Sequence, residues 1–358
     1  MEDVYRALAR RLDETPNGFP ATESGVELRL LARLFTPEEA ALAVHLRLTP
    51  EPAATIAERS GGEAKAVYGL LKGMVRRGLI AAERSRGGLR FALLPFVVGF
   101  YEMQAPHLDA ELAALVEAYA HQAFPALLSV RPALHRVIPV EQAVPIDVEI
   151  LPYERASEIL DGAAAWGVVD CICRKQQKLL GKGCNAPLDL CMVLSDTPGA
   201  FDQAAGVRAL TREGAAETLR RAEEAGLIHS TSNTRGGIGY ICNCCTCCCG
   251  ILRGVAEFGI RQSVAHSGFW ATVDEGLCTG CGACAERCRF GALQVEGGLC
   301  RVDRDRCAGC GLCAGACPSS ALQLQRRPAE RVEPTPPDMP AWRAERARAR
   351  GLDLGRIL

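Results

Sequence analysis

The first 170 residues of this 358-residue chain contain no cysteine. That half has neither disulfides nor thiolate metal sites to hold it and must bury an ordinary apolar core. Long apolar runs are missing too: the longest, Phe91–Tyr101, is too short to cross a bilayer and is broken by Pro95. No excess of one charge exists, since Lys+Arg 41 against Asp+Glu 42 leaves a net −1, so global charge makes no case for nucleic acid. The chain has no Walker-type phosphate loop and no G-x-G-x-x-G fingerprint. No Ser/His/Asp set, paired-carboxylate site or flavin fingerprint indicates a substrate, and no catalytic residue is assigned. The opening MEDVYRALARRLDET reads as an amphipathic, charged helix rather than a secretory signal. The expectation is therefore a cytoplasmic protein without membrane insertion, in whose reducing surroundings dense cysteine points to metal.

What is present is concentrated. All 19 cysteines fall between Cys171 and Cys317. The fold class expected is α+β and multidomain, with boundaries at 1–104, 105–165, 166–266, 267–325 and 326–358.

Within 1–104, Thr36-Pro37-Glu38-Glu39 is a helix start with a capping hydroxyl, an early proline and acids at the positive helix end. Two further helices are expected, from Pro52 to Arg59 and from Ala64 to Arg77, the second with Val67, Leu70, Leu71, Met74 and Val75 at helical spacing. Leu79-Ile80 and Leu89–Leu93 around Arg84–Gly88 read as a hairpin. Three helices followed by a two-stranded wing resemble a winged-helix domain. Lys65, Lys72, Arg76, Arg77, Arg84, Arg86 and Arg90 face one acid, Glu83, over this stretch. The resemblance implies contact with DNA or, the reading preferred here, with a protein partner. Arg76 and Arg77 also suit a helix C-terminus for local reasons.

Residues 105–165 read as a connector: a helix over Leu108–Phe124, an extended stretch over Arg136–Leu151, and a helix over Tyr153–Ala165. A helix capped by Thr211 and a hairpin reaching Cys242 echo the helix–hairpin order of the N-terminal region. After Gln325 the Pro-rich, charged chain reads as an extended or disordered tail with a short helix over Ala341–Arg350.

The strongest pattern is Cys278-x2-Cys281-x2-Cys284-x3-Cys288, repeated as Cys307-x2-Cys310-x2-Cys313-x3-Cys317-Pro318. Three thiolates at x2 spacing wrap a tight loop around one face of a cubane, and the fourth begins a helical turn and points elsewhere. Zinc is the alternative, but its sites normally come as separated C-x2-C pairs. The segment Ser267–Leu324 resembles the bacterial-type dicluster ferredoxins, with Arg289 in place of the usual proline. That resemblance implies two 4Fe–4S clusters in a crossed arrangement: Cys278, Cys281, Cys284 and Cys317 on one, Cys307, Cys310, Cys313 and Cys288 on the other. It also implies low-potential electron transfer and a redox protein partner. Cys300 lies outside both motifs and reads as a small buried apolar residue.

Ten more cysteines form two groups: Cys171, Cys173, Cys184 and Cys191, and the run Cys242, Cys244, Cys245, Cys247, Cys248 and Cys249. The first four are sufficient in number for one cluster. The run cannot turn all its thiols to one centre, because alternating strand geometry sends neighbours to opposite sides. One or two further iron–sulfur clusters are expected, with zinc the alternative. This central region is similar to one found in other multi-cluster iron–sulfur proteins. Arg174, Lys175, Lys178 and Lys182 would offset cluster charge or attract an acidic partner. Three functions are compatible: an electron carrier, which is preferred and makes the chain at most an oxidoreductase component; a redox-sensing winged-helix regulator; and a reductase centred on the central cysteines.

Overall fold

A computed structural model describes residues 2–358. The described chain forms two compact units: one of residues 2–131, 178–182 and 343–358, the other of 132–177 and 183–342.

In the first unit, helix Pro37–Ala43 starts with a complete capping box. The Glu39 N–H donates to the Thr36 hydroxyl at 3.2 Å, and the Glu39 carboxylate accepts from the Thr36 N–H at 2.9 Å. Helices Ala53–Ser60 and Ala64–Arg76 follow, then the antiparallel strands Ile80–Ser85 and Gly88–Leu93. A two-residue strand, Glu51–Pro52, pairs with the outer side of Gly88–Leu93. The core is aromatic. Phe19 lies 5.3 Å from Phe96 and 4.7 Å from Tyr119, and Phe96 lies 5.4 Å from Phe100.

Tyr119 sits on helix Ala110–Leu128, so this helix belongs to the first core rather than to a connector beginning at 105. Periodicity located the helix; its packing partners were not legible. The last segment also departs from the expected surface tail. Helix Met339–Arg350 carries Arg346, which is fully buried and donates to the carbonyls of Pro16 at 2.9 Å, Leu127 at 2.8 Å and Val130 at 2.7 Å. Composition reported a charged segment; the three carbonyls that each need a donor are brought together only by folding.

The second unit is built on a seven-stranded sheet in the order Val264–Ala265, His135–Val137, Ile228–Ser232, Tyr240–Cys244, Cys191–Ser195, Ala165–Val169, Arg208–Leu210. Its pairs are antiparallel apart from the first. Between Arg136 and Leu151 only His135–Val137 is strand; the rest is turn and loop around the short helix Glu141–Ala143. Where a helix was expected over Tyr153–Ala165, the helix is Ala156–Asp161, and Ala165 already opens a strand. Gly162 ends it, leaving Ala165 free to pair with Ser195. Thr211 caps helix Arg212–Glu224 through the Gly214 N–H at 3.1 Å, and the hairpin Ile228–Ser232/Tyr240–Cys244 follows, as in the helix–hairpin order of the first unit. Trp342 is buried here and donates to the Ala133 carbonyl at 2.9 Å.

Two small antiparallel pairs complete the unit: Phe269–Val273 with Leu322–Arg326, and Leu293–Glu296 with Leu299–Val302. Among the described residues, no helix is long and apolar enough to cross a membrane.

Replacing Arg346 by Met removes three charge-assisted bonds and leaves buried carbonyls without donors. The expected loss is about 3 kcal/mol or more of stability, read as a lowered urea midpoint. A midpoint unchanged from the parent protein would show that water replaces those bonds.

Candidate metal centres

The two ferredoxin-spaced motifs are pseudo-symmetric in space. Cys278 and Cys307 each donate their N–H to an aspartate carbonyl four residues earlier, Asp274 and Asp303, at 3.0 Å in both cases. Each motif's middle cysteines open a short helix, Ala283–Arg287 or Leu312–Gly315. The chain then doubles back, and the last cysteine of each motif is carried to the other loop. One pocket is lined by Cys278, Cys281, Cys284 and Cys317. Another is lined by Cys288, Cys307, Cys310 and Cys313. Each set contains three sulfurs of one motif and one of the other.

Backbone N–H groups point at these sulfurs: Ala271 to Cys307 at 3.4 Å, Ala292 to Cys288 at 3.3 Å, Cys300 to Cys278 at 3.4 Å, and Ala321 to Cys317 at 3.3 Å. Such donors stabilise negative charge on sulfur and make the cavities fit an anionic cluster. Burial pushes the Cys310 thiol up to about 12, so only a bound cation makes it a thiolate at neutral pH. Cys300 is buried as expected, but its Sγ lies 3.5 Å from that of Cys284 and it lines the first cavity. Arg289, where a proline was expected, donates to the Gly226 carbonyl at 3.4 Å. Arg287 donates to the carbonyls of Glu223 at 2.6 Å and Glu224 at 3.0 Å. The two arginines cap the C-terminus of helix Arg212–Glu224 and so fasten the first motif to the sheet domain.

The ten central cysteines do not divide as the sequence suggested. Cys184 leaves Cys171, Cys173 and Cys191 and joins Cys245, Cys247 and Cys248; the four Sγ atoms lie within 4.8 Å of one another. Individual separations are 3.7 Å from Cys184 to Cys245, 3.8 Å from Cys184 to Cys248 and 3.7 Å from Cys247 to Cys248. The hydrogen bond from Cys248, more than any other neighbour, holds the Cys245 thiol down to about 5. Burial, then the Cys245 charge, pushes Cys247 up to about 12.

The other six form a closed ring. Cys171 contacts Cys173 and Cys191, Cys191 contacts Cys242, Cys242 contacts Cys244, Cys244 contacts Cys249, and Cys249 returns to Cys173. Strand register explains the gathering. Val169 pairs with Cys191 and Met192 with Ile241, which aligns Cys171, Cys191 and Cys242 at one end of three adjacent strands. Cys242 and Cys244 share one face of Tyr240–Cys244. Cys249 stands at the start of helix Gly250–Ala256, whose N-terminus favours negative charge.

Arg174 is buried at 2% exposure beside both thiol groups. Its Nη1 donates to the Asn243 carbonyl at 2.7 Å, whereas Nε and Nη2 have no hydrogen-bond partner. Burial opposes the guanidinium charge, but Cys171, Cys191, Cys244 and Cys245 outweigh it and raise the pKa. Two orphaned donors beside clustered sulfur fit an anionic metal centre. Of the neighbouring lysines, Lys182 reaches Glu117 at 3.9 Å, within the first unit. His229 is not placed as a ligand: its Nδ1 lies 2.5 Å from Asn243 Oδ1 and its Nε2 3.2 Å from Glu223.

Asn243 and Ser230 were not singled out from the sequence. Ser230 donates to Cys244 at 3.7 Å from the neighbouring strand. Asn243 alone carried a sequence signal, its place between Cys242 and Cys244; Ser230 lies in a strand without cysteine. Of the basic residues in the first unit, Lys65, Lys72, Arg76, Arg84 and Arg86 are exposed. Arg77 is exposed as well but is tied to Glu39 and to the Leu34 carbonyl, and the half-buried Arg90 is tied to the Pro50 carbonyl at 2.9 Å and 2.6 Å.

These cysteine-lined cavities define a ferredoxin-type iron–sulfur domain. In agreement, the family model described as 4Fe-4S binding domain matches residues 271–294 and 301–323. No curated protein and no solved structure matches the chain. The chain thus carries a 4Fe–4S ferredoxin-type domain within 271–323 and a further cysteine cluster able to hold metal.

Gly309 and Gly282 separate packing from backbone strain. Both have positive φ, +71° and +83°. A Cβ at Gly309 would overlap the Phe269 carbonyl, whereas one at Gly282 meets nothing within 4 Å. Gly309→Ala is expected to lose most iron of the second cavity, and Gly282→Ala to keep its iron with a stability loss of about 1 kcal/mol. Equal iron content in both variants would contradict this.

Proposed function

We propose that the chain is an iron–sulfur electron-transfer protein. In this reading Cys278, Cys281, Cys284 and Cys317 hold one 4Fe–4S cluster and Cys288, Cys307, Cys310 and Cys313 a second. The six-thiol ring holds a further polynuclear centre, and a redox protein partner supplies or accepts the electrons. The observation that carries the reading is the pair of cavities, each lined by four cysteines drawn from both motifs. When bound, the clusters supply one-electron steps at low potential.

The chain's own contribution is to set charge and access. Four backbone N–H donors offset negative charge on the ferredoxin-type sulfurs. At the ring a full positive charge, Arg174, stands against the thiols. A buried cation stabilises the more negative, reduced state more strongly than amide dipoles do, so electrons run from the ferredoxin-type sites toward the ring. The first unit presents Lys65, Lys72, Arg76, Arg84 and Arg86 at its surface. This basic face suits docking of an acidic partner, with DNA the less favoured occupant.

Anaerobically purified protein is expected to contain about eight irons with matching acid-labile sulfide from the ferredoxin-type sites, and additional iron from the ring. Zinc in place of iron throughout would overturn the reading. Arg174→Gln is expected to shift the potential of the additional centre to more negative values in a redox titration, leaving the two ferredoxin-type signals in place. A shift in the latter alone would place Arg174 in the wrong role.

A further inference from the structure

The ten central thiols offer two different coordination geometries, and the smaller one has a specific metric. A single ion bound by four thiolates at about 2.3 Å sits in a tetrahedron whose sulfur–sulfur edges are about 3.8 Å. Three of the six separations among Cys184, Cys245, Cys247 and Cys248 are 3.7, 3.8 and 3.7 Å, and all six lie within 4.8 Å. In a cubane the four thiolates bind four different irons and spread around the cluster instead of converging on one point.

The same structure contains the contrast. Among the described residues, no other group of three or more Cys, His, Asp or Glu side chains gathers its ligand atoms this closely. The ferredoxin-type sulfurs line two separate pockets, and no three of them gather within 4.8 Å. Nor do any three sulfurs of the six-thiol ring converge within 4.8 Å. We propose that Cys184, Cys245, Cys247 and Cys248 form a mononuclear tetrathiolate site for one divalent ion, zinc or ferrous iron, bound without inorganic sulfide.

The surroundings suit such a site. Leu190, Ala222 and Leu227 pack against Cys245 and Cys248 and exclude water on one side, while Cys247 is exposed on the other. Three ligands come from one tight turn and the fourth from a loop 61 residues away, measured from Cys184 to Cys245. The ion therefore pins that loop to the turn that also leads into the ring. On binding, each ligand still protonated gives its S–H proton to solvent as the four metal–sulfur bonds form, and no electron changes hands. All four positions are filled by protein, so the site is closed to substrate and its role is structural. The assignment is independent of the electron-transfer reading, because neither outcome below alters the iron of the ferredoxin-type sites.

The test compares zinc, iron and acid-labile sulfide in the full-length parent protein, in Cys247→Ala and in Cys184→Ala/Cys247→Ala, all purified anaerobically. The double variant is expected to lose one metal atom per chain and no sulfide; whether zinc or iron is lost identifies the ion. Loss of several irons together with a similar amount of sulfide would overturn the proposal, as would an unchanged metal content. Should the double variant fail to fold, X-ray absorption at the zinc and iron edges of the parent protein decides. A zinc or lone-iron component with four sulfur neighbours and no metal neighbour supports the site. Zinc-free protein whose iron all shows metal neighbours overturns it.

Discussion

Thiols withdrawn from water cannot ionise side by side unless positive charge lies within a few ångströms. The second unit is organised around that constraint. Ten cysteines meet between Cys171 and Cys249, five of them buried and only Cys247 exposed. Arg174 is a cation that acts on both of their groups, and its Nε and Nη2 are left without other partners. A guanidinium held this way is stable only if sulfur charge compensates it, and the sulfur charge only if metal and guanidinium compensate that. Each arrangement is costly alone; together they are self-consistent. Asn243 belongs to the same balance, holding Arg174 through its carbonyl and His229 through its side chain on the opposite face of the strand.

The ferredoxin-type domain solves the same problem by different means. There the compensation comes from amide dipoles on tight loops, and the loops need residues without a Cβ where backbone meets backbone. Gly280 against the Gly298 carbonyl and Gly309 against the Phe269 carbonyl are equivalent positions in the two motifs. The domain is also fastened to its surroundings. Arg287 and Arg289 satisfy the free carbonyls at the end of helix Arg212–Glu224, and the Val140 N–H donates to the Cys310 carbonyl at 2.9 Å. The residue that departs from the ferredoxin pattern, Arg289, thereby has a local purpose outside the cluster-binding loop.

Legibility differed by element. Helix starts governed by short-range chemistry were readable: Thr36 and Thr211 cap the helices that follow them, because a hydroxyl and an N–H three residues on meet within one turn. The segment 136–151 was read as extended, but its strand ends at Val137; Ile138 joins the sheet core, Val140 and Ala143 lie against Gly311, and Ile146 is exposed. Arg346 looked like surface charge and is held by buried carbonyls, because composition does not say which backbone groups remain unpaired elsewhere.

For the metal region, the division follows the range of the interactions. Eight ferredoxin-spaced cysteines announced their chemistry by themselves, since x2 and x3 spacings dictate which way consecutive thiols point on a loop. Cysteine density likewise marked the central region as metal-binding. How its ten thiols divide was decided only by tertiary structure. Antiparallel register across Ala165–Val169, Cys191–Ser195 and Tyr240–Cys244 brings Cys171, Cys191 and Cys242 into line, while the loop bearing Cys184 folds onto the turn at Cys245–Cys248. Strand pairing acts between residues tens of positions apart, and no local spacing encodes its register.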